Sequence, residues 1–112
     1  MRPGLRVLDV ARMVVDDINR LLKSRRLPNG SQLREAAESI TANIQEGFGR
    51  EAGPDRNQFL RFARASAEEA NERLRTRFAA EDIPAKVYFP LHNRTVAIAR
   101  MLTNLMSDGK DS

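Results

Sequence analysis

The sequence predicts an all-α protein, an antiparallel up-and-down four-helix bundle. Apolar residues recur with the 3.6-residue period of a helix in four successive segments, and no segment shows the alternation of a strand. Stretches containing proline and glycine separate the segments by roughly six residues, which favours neighbouring helices that run in opposite directions. The chain of 112 residues suits one domain. We predict a bundle over residues 1–106 and a flexible tail over 107–112.

The first helix is predicted from Leu5 to Ser24, because its apolar residues follow one broad stripe. That stripe contains Val7, Val10, Ala11, Val14, Ile18, Leu21 and Leu22. Pro28, Asn29 and Gly30 then favour a turn. Ser31 is the predicted N-cap of the second helix.

The second helix combines a narrow apolar stripe with a neighbouring line of polar residues. The stripe consists of Leu33, Ala37, Ile40 and Ile44. The polar line, at positions where a helix normally buries apolar groups, includes Gln32, Ser39, Asn43 and Glu46. Gly47 and Gly49 end the helix, and Gly47 suits the left-handed position after a helix.

The third helix is predicted to open at Gly53 and Pro54, since a proline is tolerated at the first helical position. Its core stripe contains Phe59, Leu60, Ala63, Ala67, Ala70, Leu74 and Phe78. Small residues in the middle allow another helix to approach closely.

The fourth helix follows Pro84, and its apolar stripe contains Val87, Leu91, Ile98, Leu102 and Leu105. Pro90 removes a backbone donor, so either the helix starts there or it is kinked there. Order is predicted to end near Met106.

The stretch LPNGSQLREAAESITANIQEGFGR, followed by QFLRFARASAEEANERL, resembles a bacterial four-helix-bundle family encoded in intervening sequences of 23S rRNA genes. The matching positions are Gln32, Leu33, Arg34, Ser39, Ile40, Asn43, Ile44, Glu46, Gly47, Gly49, Arg50, Phe59, Leu60, Ala63, Ser66 and Glu69. The resemblance implies a ring-like homo-oligomer, commonly a pentamer. It also implies association with RNA or DNA, since a related branch serves as an accessory subunit of reverse transcriptase in diversity-generating retroelements.

Three hypotheses account for the polar line of the second helix. The structural one is a hydrogen-bonded network that fixes helix register or a subunit contact, joining the line to Arg50, Ser66 and Glu69. The second is a small-ligand site at Glu46 and Arg50. The third is an active site.

The residue inventory argues against an enzyme. There is no cysteine, which fits a cytoplasmic protein, and His92 is the only histidine. One histidine cannot build a carboxylate-histidine di-iron site or a histidine zinc site within one chain. We therefore expect no metal, no cofactor and no catalysis. No segment is apolar enough for a membrane span or a signal peptide.

An excess of 19 Lys and Arg over 15 Asp and Glu is compatible with a polyanionic partner. The candidate nucleic-acid-binding residues are Arg12, Arg20, Lys23, Arg25, Arg26, Arg61, Arg64 and Arg75. The aromatic residues mostly fall on or near core stripes, so binding should be directed to the nucleic-acid backbone, with little sequence selectivity. The sequence predicts a non-enzymatic accessory to RNA or to a nucleic-acid-processing protein. The alternative is a scaffold whose arginines pair with an acidic protein.

Overall fold

Four helices make up nearly all of the residues that the structure, a computed structural model, describes. These are residues 3–108, with side chains described for residues 6–106. The helices are α1 (Pro3–Ser24), α2 (Gly30–Phe48), α3 (Pro54–Ala79) and α4 (Ala85–Asp108), and there is no strand between residues 3 and 108. The predicted all-α, four-helix architecture is confirmed.

Consecutive helices pack side by side in opposite directions, and α4 closes the bundle against α1. On α2 and α3, Gln32 bonds to Arg73 and Ser39 bonds to Ser66, so residue numbers rise along one helix as they fall along the other. The contacts between α3 and α4 follow the same order, and they join Asn71 to His92 and Arg64 to Thr103. The bundle measures 46 × 23 × 20 Å.

The core lies along the bundle axis and contains most of the predicted stripes. Its largest fully buried side chains are Ile18, Ile40, Ile44, Leu60, Leu74, Ile83, Leu91, Ile98, Leu102, Val7, Val14 and Thr95. Phe59 and Phe78, predicted for the core of α3, are only half-buried, because they lie at the edges of the α3 stripe. Of the residues described, no helix is long and apolar enough to cross a membrane.

The start of α2 differs from the prediction, because Ser31 is not its N-cap. The helix begins at Gly30, and Asn29 occupies the capping position with φ 58°, in the left-handed region. Asparagine tolerates this conformation better than most residues. Its main-chain carbonyl accepts hydrogen bonds from the amides of Gln32 and Leu33. Ser31 therefore lies within the first turn.

Gly47 was predicted at the left-handed position after α2, and this prediction is wrong. Gly47 lies inside the helix and is buried, while Gly49 follows the helix with a right-handed φ of −77°. A Cβ atom on Gly47 would lie 3.2 Å from Phe59 Cβ and 3.2 Å from Leu60 Cδ2. The glycine favours the close approach of α2 to α3, which no single-helix pattern reveals.

The proline positions resolve two expectations. Pro54 lies in the first turn of α3, as predicted. Pro90 lies inside α4, which already begins at Ala85, so it does not start the helix. The helix also extends to Asp108, two residues beyond the predicted end of order. Residues 109–112 of the predicted tail lie outside the described part of the chain.

Candidate nucleic-acid interface

One end of the bundle concentrates positive charge. It is formed by residues 20–35 and 72–87, which include the α1–α2 and α3–α4 connections, and we call it the basic end. It holds nine Lys and Arg residues against four Asp and Glu residues. The opposite end, residues 3–12, 42–61 and 97–108, holds six against five. The bundle is therefore electrostatically asymmetric along its long axis.

Several cations of the basic end carry uncompensated charge. In the described part of the chain, no carboxylate pairs with Lys23, Arg26, Arg34 or Lys86, and all four are exposed. Four of the five remaining arginines pair with carboxylates, and the pairs are Arg20 with Asp17, Arg73 with Glu69, Arg75 with Glu72 and Arg77 with Asp82. The arginines of the Arg20 and Arg75 pairs are exposed, and such pairs contribute about 0–1 kcal/mol each, so phosphates can compete for these two arginines.

Asp82 joins the two connections of the basic end. Arg25 Nη1 donates to the main-chain carbonyl of Asp82 over 2.9 Å, and Arg77 Nη1 lies 2.9 Å from Asp82 Oδ2. Glu81, just before it, has φ 64° and turns the chain sharply. These contacts hold a cation from the α1–α2 connection beside one from the end of α3.

The predicted nucleic-acid-binding residues do not form one surface. Arg20, Lys23, Arg25 and Arg26 lie at the basic end, as does Arg75. Arg12, Arg61 and Arg64 do not. Arg12 borders a groove between α1 and α2 beside Asp16 and Glu38, and Arg64 donates to the Thr103 hydroxyl over 3.1 Å.

A helical face extends along the whole helix, so residues that share it are not necessarily close. Arg61 and Arg75 are 14 positions apart in α3, which is about 21 Å along the axis.

Arg34 and Lys86 were missed by the sequence analysis. The topology would have indicated them, because the first turns of α2 and α4 meet the last turns of α1 and α3.

Two aromatic side chains are exposed and are the exceptions to the expectation that the aromatic residues mostly lie on or near core stripes. Phe62 is 47% exposed and Phe89 is 50% exposed. Phe89 packs edge-to-face on Phe78, with ring centroids 5.4 Å apart, next to the basic end. Phe62 packs against Phe59, and Phe89 packs against Phe78. These contacts hold each exposed ring in place but leave its outer side open to solvent.

The polar seam, which is the predicted set Gln32, Ser39, Asn43, Glu46, Arg50, Ser66 and Glu69, follows the groove between α2 and α3. At its centre Ser66 Oγ donates to Ser39 Oγ over 3.0 Å. Asn43 Nδ2 lies 2.9 Å from the Ser39 carbonyl and 3.1 Å from Ser39 Oγ. Toward the basic end, Arg73 bridges Gln32 and Glu69 at 2.8 and 2.9 Å.

At its other end the seam reaches the α2–α3 connection through Arg50. Arg50 Nη1 lies 3.3 Å from Glu46 Oε2, and its guanidinium lies 4.4 Å from the centre of the Phe59 ring. Arg50 Nε lies 3.1 Å from Asp55 Oδ2. The two groups form an ion pair, but their geometry is not that of a hydrogen bond. Arg56 Nε donates to the Arg50 carbonyl over 3.0 Å. These contacts tie the end of α2 to the start of α3.

The seam is not buried, contrary to the sequence interpretation. Ser39, Asn43 and Ser66 are half-buried, while Gln32, Glu46 and Glu69 are exposed. Leu33, Ala36, Ala37, Ile40 and Ile44 are the buried residues of α2 that fill the core. The polar side chains are rotated away from these residues, to the rim of the groove, where water supplies their remaining hydrogen bonds.

His92 belongs to a side-chain cluster between α3 and α4. Its Nδ1 lies 3.0 Å from Asn71 Oδ1 and 3.4 Å from the Tyr88 hydroxyl. The described residues contain no group of three His, Cys, Asp or Glu side chains that could hold a metal ion.

The sequence comparison identifies the family. A family model described as 23S rRNA-intervening sequence protein matches residues 4–104. This chain belongs to that family. A solved structure from Bacteroides thetaiotaomicron VPI-5482, described as a protein with unknown function from the S23 ribosomal protein family, has a similar fold, with a TM-score of 0.84. It is 21% identical, and the match covers 95% of this chain and 99% of that one. None of the curated proteins matches this chain.

In this 23S rRNA-intervening sequence protein, the SITANIQEGFGR stretch serves the α2–α3 contact. Ile40 and Ile44 enter the core, Gly47 lets α3 approach, and Ser39 meets Ser66 across the groove. The residues that carried the resemblance therefore fix helix pairing. The cations of the basic end lie largely outside that stretch.

The Ser39–Ser66 contact provides a test of the seam. We expect Ser66→Ala to lower the free energy of unfolding by about 1 kcal/mol, because it removes the donor to Ser39. A double-mutant cycle with Ser39→Ala, measured by urea denaturation, should give a coupling of about 0.5 kcal/mol or more. Additive effects of the two substitutions would show that the hydroxyls do not stabilise the pairing.

Proposed function

We propose that this protein is a non-enzymatic, homo-oligomeric accessory protein that binds the phosphate backbone of RNA, alone or within an RNA–protein complex, through its basic end. The observation that supports this most directly is the group of exposed cations without carboxylate partners, Lys23, Arg26, Arg34 and Lys86. They come from three helices and the α1–α2 connection but lie at one end of the bundle. Such a surface suits a polyanion.

The chemistry favours contacts to phosphates over contacts to base edges in a duplex. Lysine and arginine bind phosphate oxygens through charge and N–H donors, whatever the sequence. We therefore expect weak sequence selectivity.

Oligomerisation would strengthen this binding. In a ring whose subunit axes run parallel to the ring axis, every basic end lies on the same face. Several weak phosphate contacts would then combine through effective concentration. The exposed apolar side chains Met13, Phe62, Phe89 and Val96 offer surface for subunit contacts.

The second candidate function is a scaffold that binds an acidic protein without nucleic acid. The same exposed apolar side chains support it, because exposed apolar groups also suit a protein partner. The two functions differ in how the protein should respond to RNA and salt.

The test combines solution mass with RNA binding. Light scattering should show an oligomer that gains mass with a short RNA duplex at 50 mM salt and loses it as salt rises. By fluorescence anisotropy, the affinity should fall at least about tenfold between 50 and 200 mM salt if three or more phosphates are contacted. Failure to bind RNA at any salt would overturn the proposal and favour the scaffold, and a monomer would overturn the assembly.

A further inference from the structure

A cleft opens between α1 and α4, where α4 begins. Its volume is about 360 Å³, within the range of roughly 300–1,000 Å³ typical of small-molecule sites. Its floor is apolar and its rim is cationic. The floor contains Leu21, Val87, Pro90 and Leu91, and the rim contains Arg20, Arg25 and Lys86.

The arginines of the rim are held in place but retain free donors. Arg20 Nη2 lies 2.8 Å from Asp17 Oδ1, and Arg25 Nη1 donates to the Asp82 carbonyl over 2.9 Å. A guanidinium has five N–H donors, so each of these arginines can still bind a phosphate oxygen. Because the structure already orders both side chains, binding through them costs less conformational entropy.

Asp17, the acidic side chain at the cleft, is neutralised by two arginines. Its Oδ1 pairs with Arg20 and its Oδ2 pairs with Arg94 of α4. Lys86 has no carboxylate partner within the described part of the chain. The cleft therefore retains a net positive charge, which selects an anionic ligand.

Pro90 removes one helical hydrogen bond beside the cleft. A helix residue normally donates its N–H to the carbonyl four residues earlier, and proline has no N–H. The main-chain carbonyl of Lys86 therefore lacks its helical donor, and both residues line the cleft. A ligand that carries an N–H group can supply the missing hydrogen bond.

We infer that this cleft binds one unpaired nucleotide of an RNA, an inference that rests on the proposed function. A nucleotide joins an anionic phosphate to a flat base that carries N–H groups. The phosphate would bind at the cationic rim, and the base would cover the floor of Val87 and Pro90. In a duplex the faces of the bases are stacked on one another, whereas a bulged nucleotide exposes them. The cleft thus distinguishes bulged or looped RNA from fully paired RNA.

The experiment compares three labelled RNA duplexes of equal length by fluorescence anisotropy at 100 mM salt. One is fully paired, one has a single bulged adenosine, and one has an abasic residue in the bulge. The adenosine bulge should bind about fivefold or more tightly than the paired duplex, because it buries apolar base surface on the cleft floor. The abasic bulge should bind like the paired duplex, since it lacks the base.

Three variants separate the cleft from the wider basic end. Ser24→Phe places a ring at the cleft wall, and it should remove the preference for the bulge without weakening duplex binding. Lys86→Gln should also reduce the preference. The matched control Lys23→Gln removes an equivalent exposed charge outside the cleft, so it should weaken both RNAs equally and leave their ratio unchanged. Circular dichroism and thermal melts confirm that each variant folds.

The outcomes distinguish the two proposals. Equal binding of all three RNAs would overturn the inference that the cleft binds a nucleotide, but it would leave the proposed function intact. An adenosine preference that survives Ser24→Phe would have the same consequence. A failure of every RNA to bind would overturn both. Displacement of the bulged RNA by an acidic peptide that binds the cleft more tightly would assign the cleft to a protein partner and overturn the inference.

Discussion

Replacing Lys23, Arg26 and Arg34 together with glutamine should weaken the binding of an RNA duplex by about tenfold or more at 100 mM salt. These residues are exposed and lack carboxylate partners among the described side chains, so nothing in the protein competes with phosphate for them. The slope of log affinity against log salt should decrease by about 2–3, since up to three counterion-releasing contacts are lost. Fluorescence anisotropy titrations at several salt concentrations measure both quantities.

The matched control removes the same number of charges from the other end of the bundle. Arg12, Arg61 and Arg100 are also exposed and unpaired within the described part of the chain. Replacing them with glutamine changes the net charge equally but leaves the basic end intact. If both triple variants lose affinity to the same extent, binding follows total charge, and the basic end is not the interface.

This comparison also shows what sequence alone could predict about the interface. Arg20, Lys23, Arg25 and Arg26 could be grouped from the sequence because they are close neighbours along the chain. Arg34 and Lys86 join them only through the antiparallel packing of four helices. Arg61 and Arg64 share a helical face with Arg75, but α3 carries that face to the opposite end.

The fold was predictable because apolar periodicity and turn residues act locally. The four helices and the position of Pro54 followed from patterns within single segments. Within the polar seam, Ser39 does contact Ser66 and Asn43. The sequence interpretation that the seam is buried was wrong, because exposure at a groove depends on how one helix is rotated against its neighbour.

The N-cap of α2 shows a competition that a sequence pattern could not decide. Both Asn29 and Ser31 are good capping residues. The backbone turn at Asn29 begins the helix two residues earlier than a serine cap would allow. The left-handed Asn29 both forms the turn and precedes the first residue of α2, Gly30, so Ser31 lies within the helix.

The glycine inside α2 leads to the largest expected loss of stability. Gly47→Leu should lower the free energy of unfolding by about 3 kcal/mol, and the melting temperature by roughly 10 °C. A helix gains about 1 kcal/mol from replacing an interior glycine, but here the first side-chain atom would already lie 3.2 Å from Phe59 Cβ. The rest of a leucine would force α3 away from α2. Urea denaturation at one fixed protein concentration measures the change, because assembly also contributes to stability.

Gly49 offers the control, because it is a nearby glycine that lies just after α2 and does not pack against α3. A Cβ atom there would have its closest contacts at 3.4 and 3.5 Å, with main-chain oxygens, and its φ of −77° suits any residue. Gly49→Ala should therefore change stability by less than about 0.5 kcal/mol. Gly47→Ala should fall between the two, since one methyl group requires α3 to shift only slightly. If Gly47→Leu is as stable as the parent protein, α2 and α3 can separate at little cost, and the glycine at this position is not explained by helix packing.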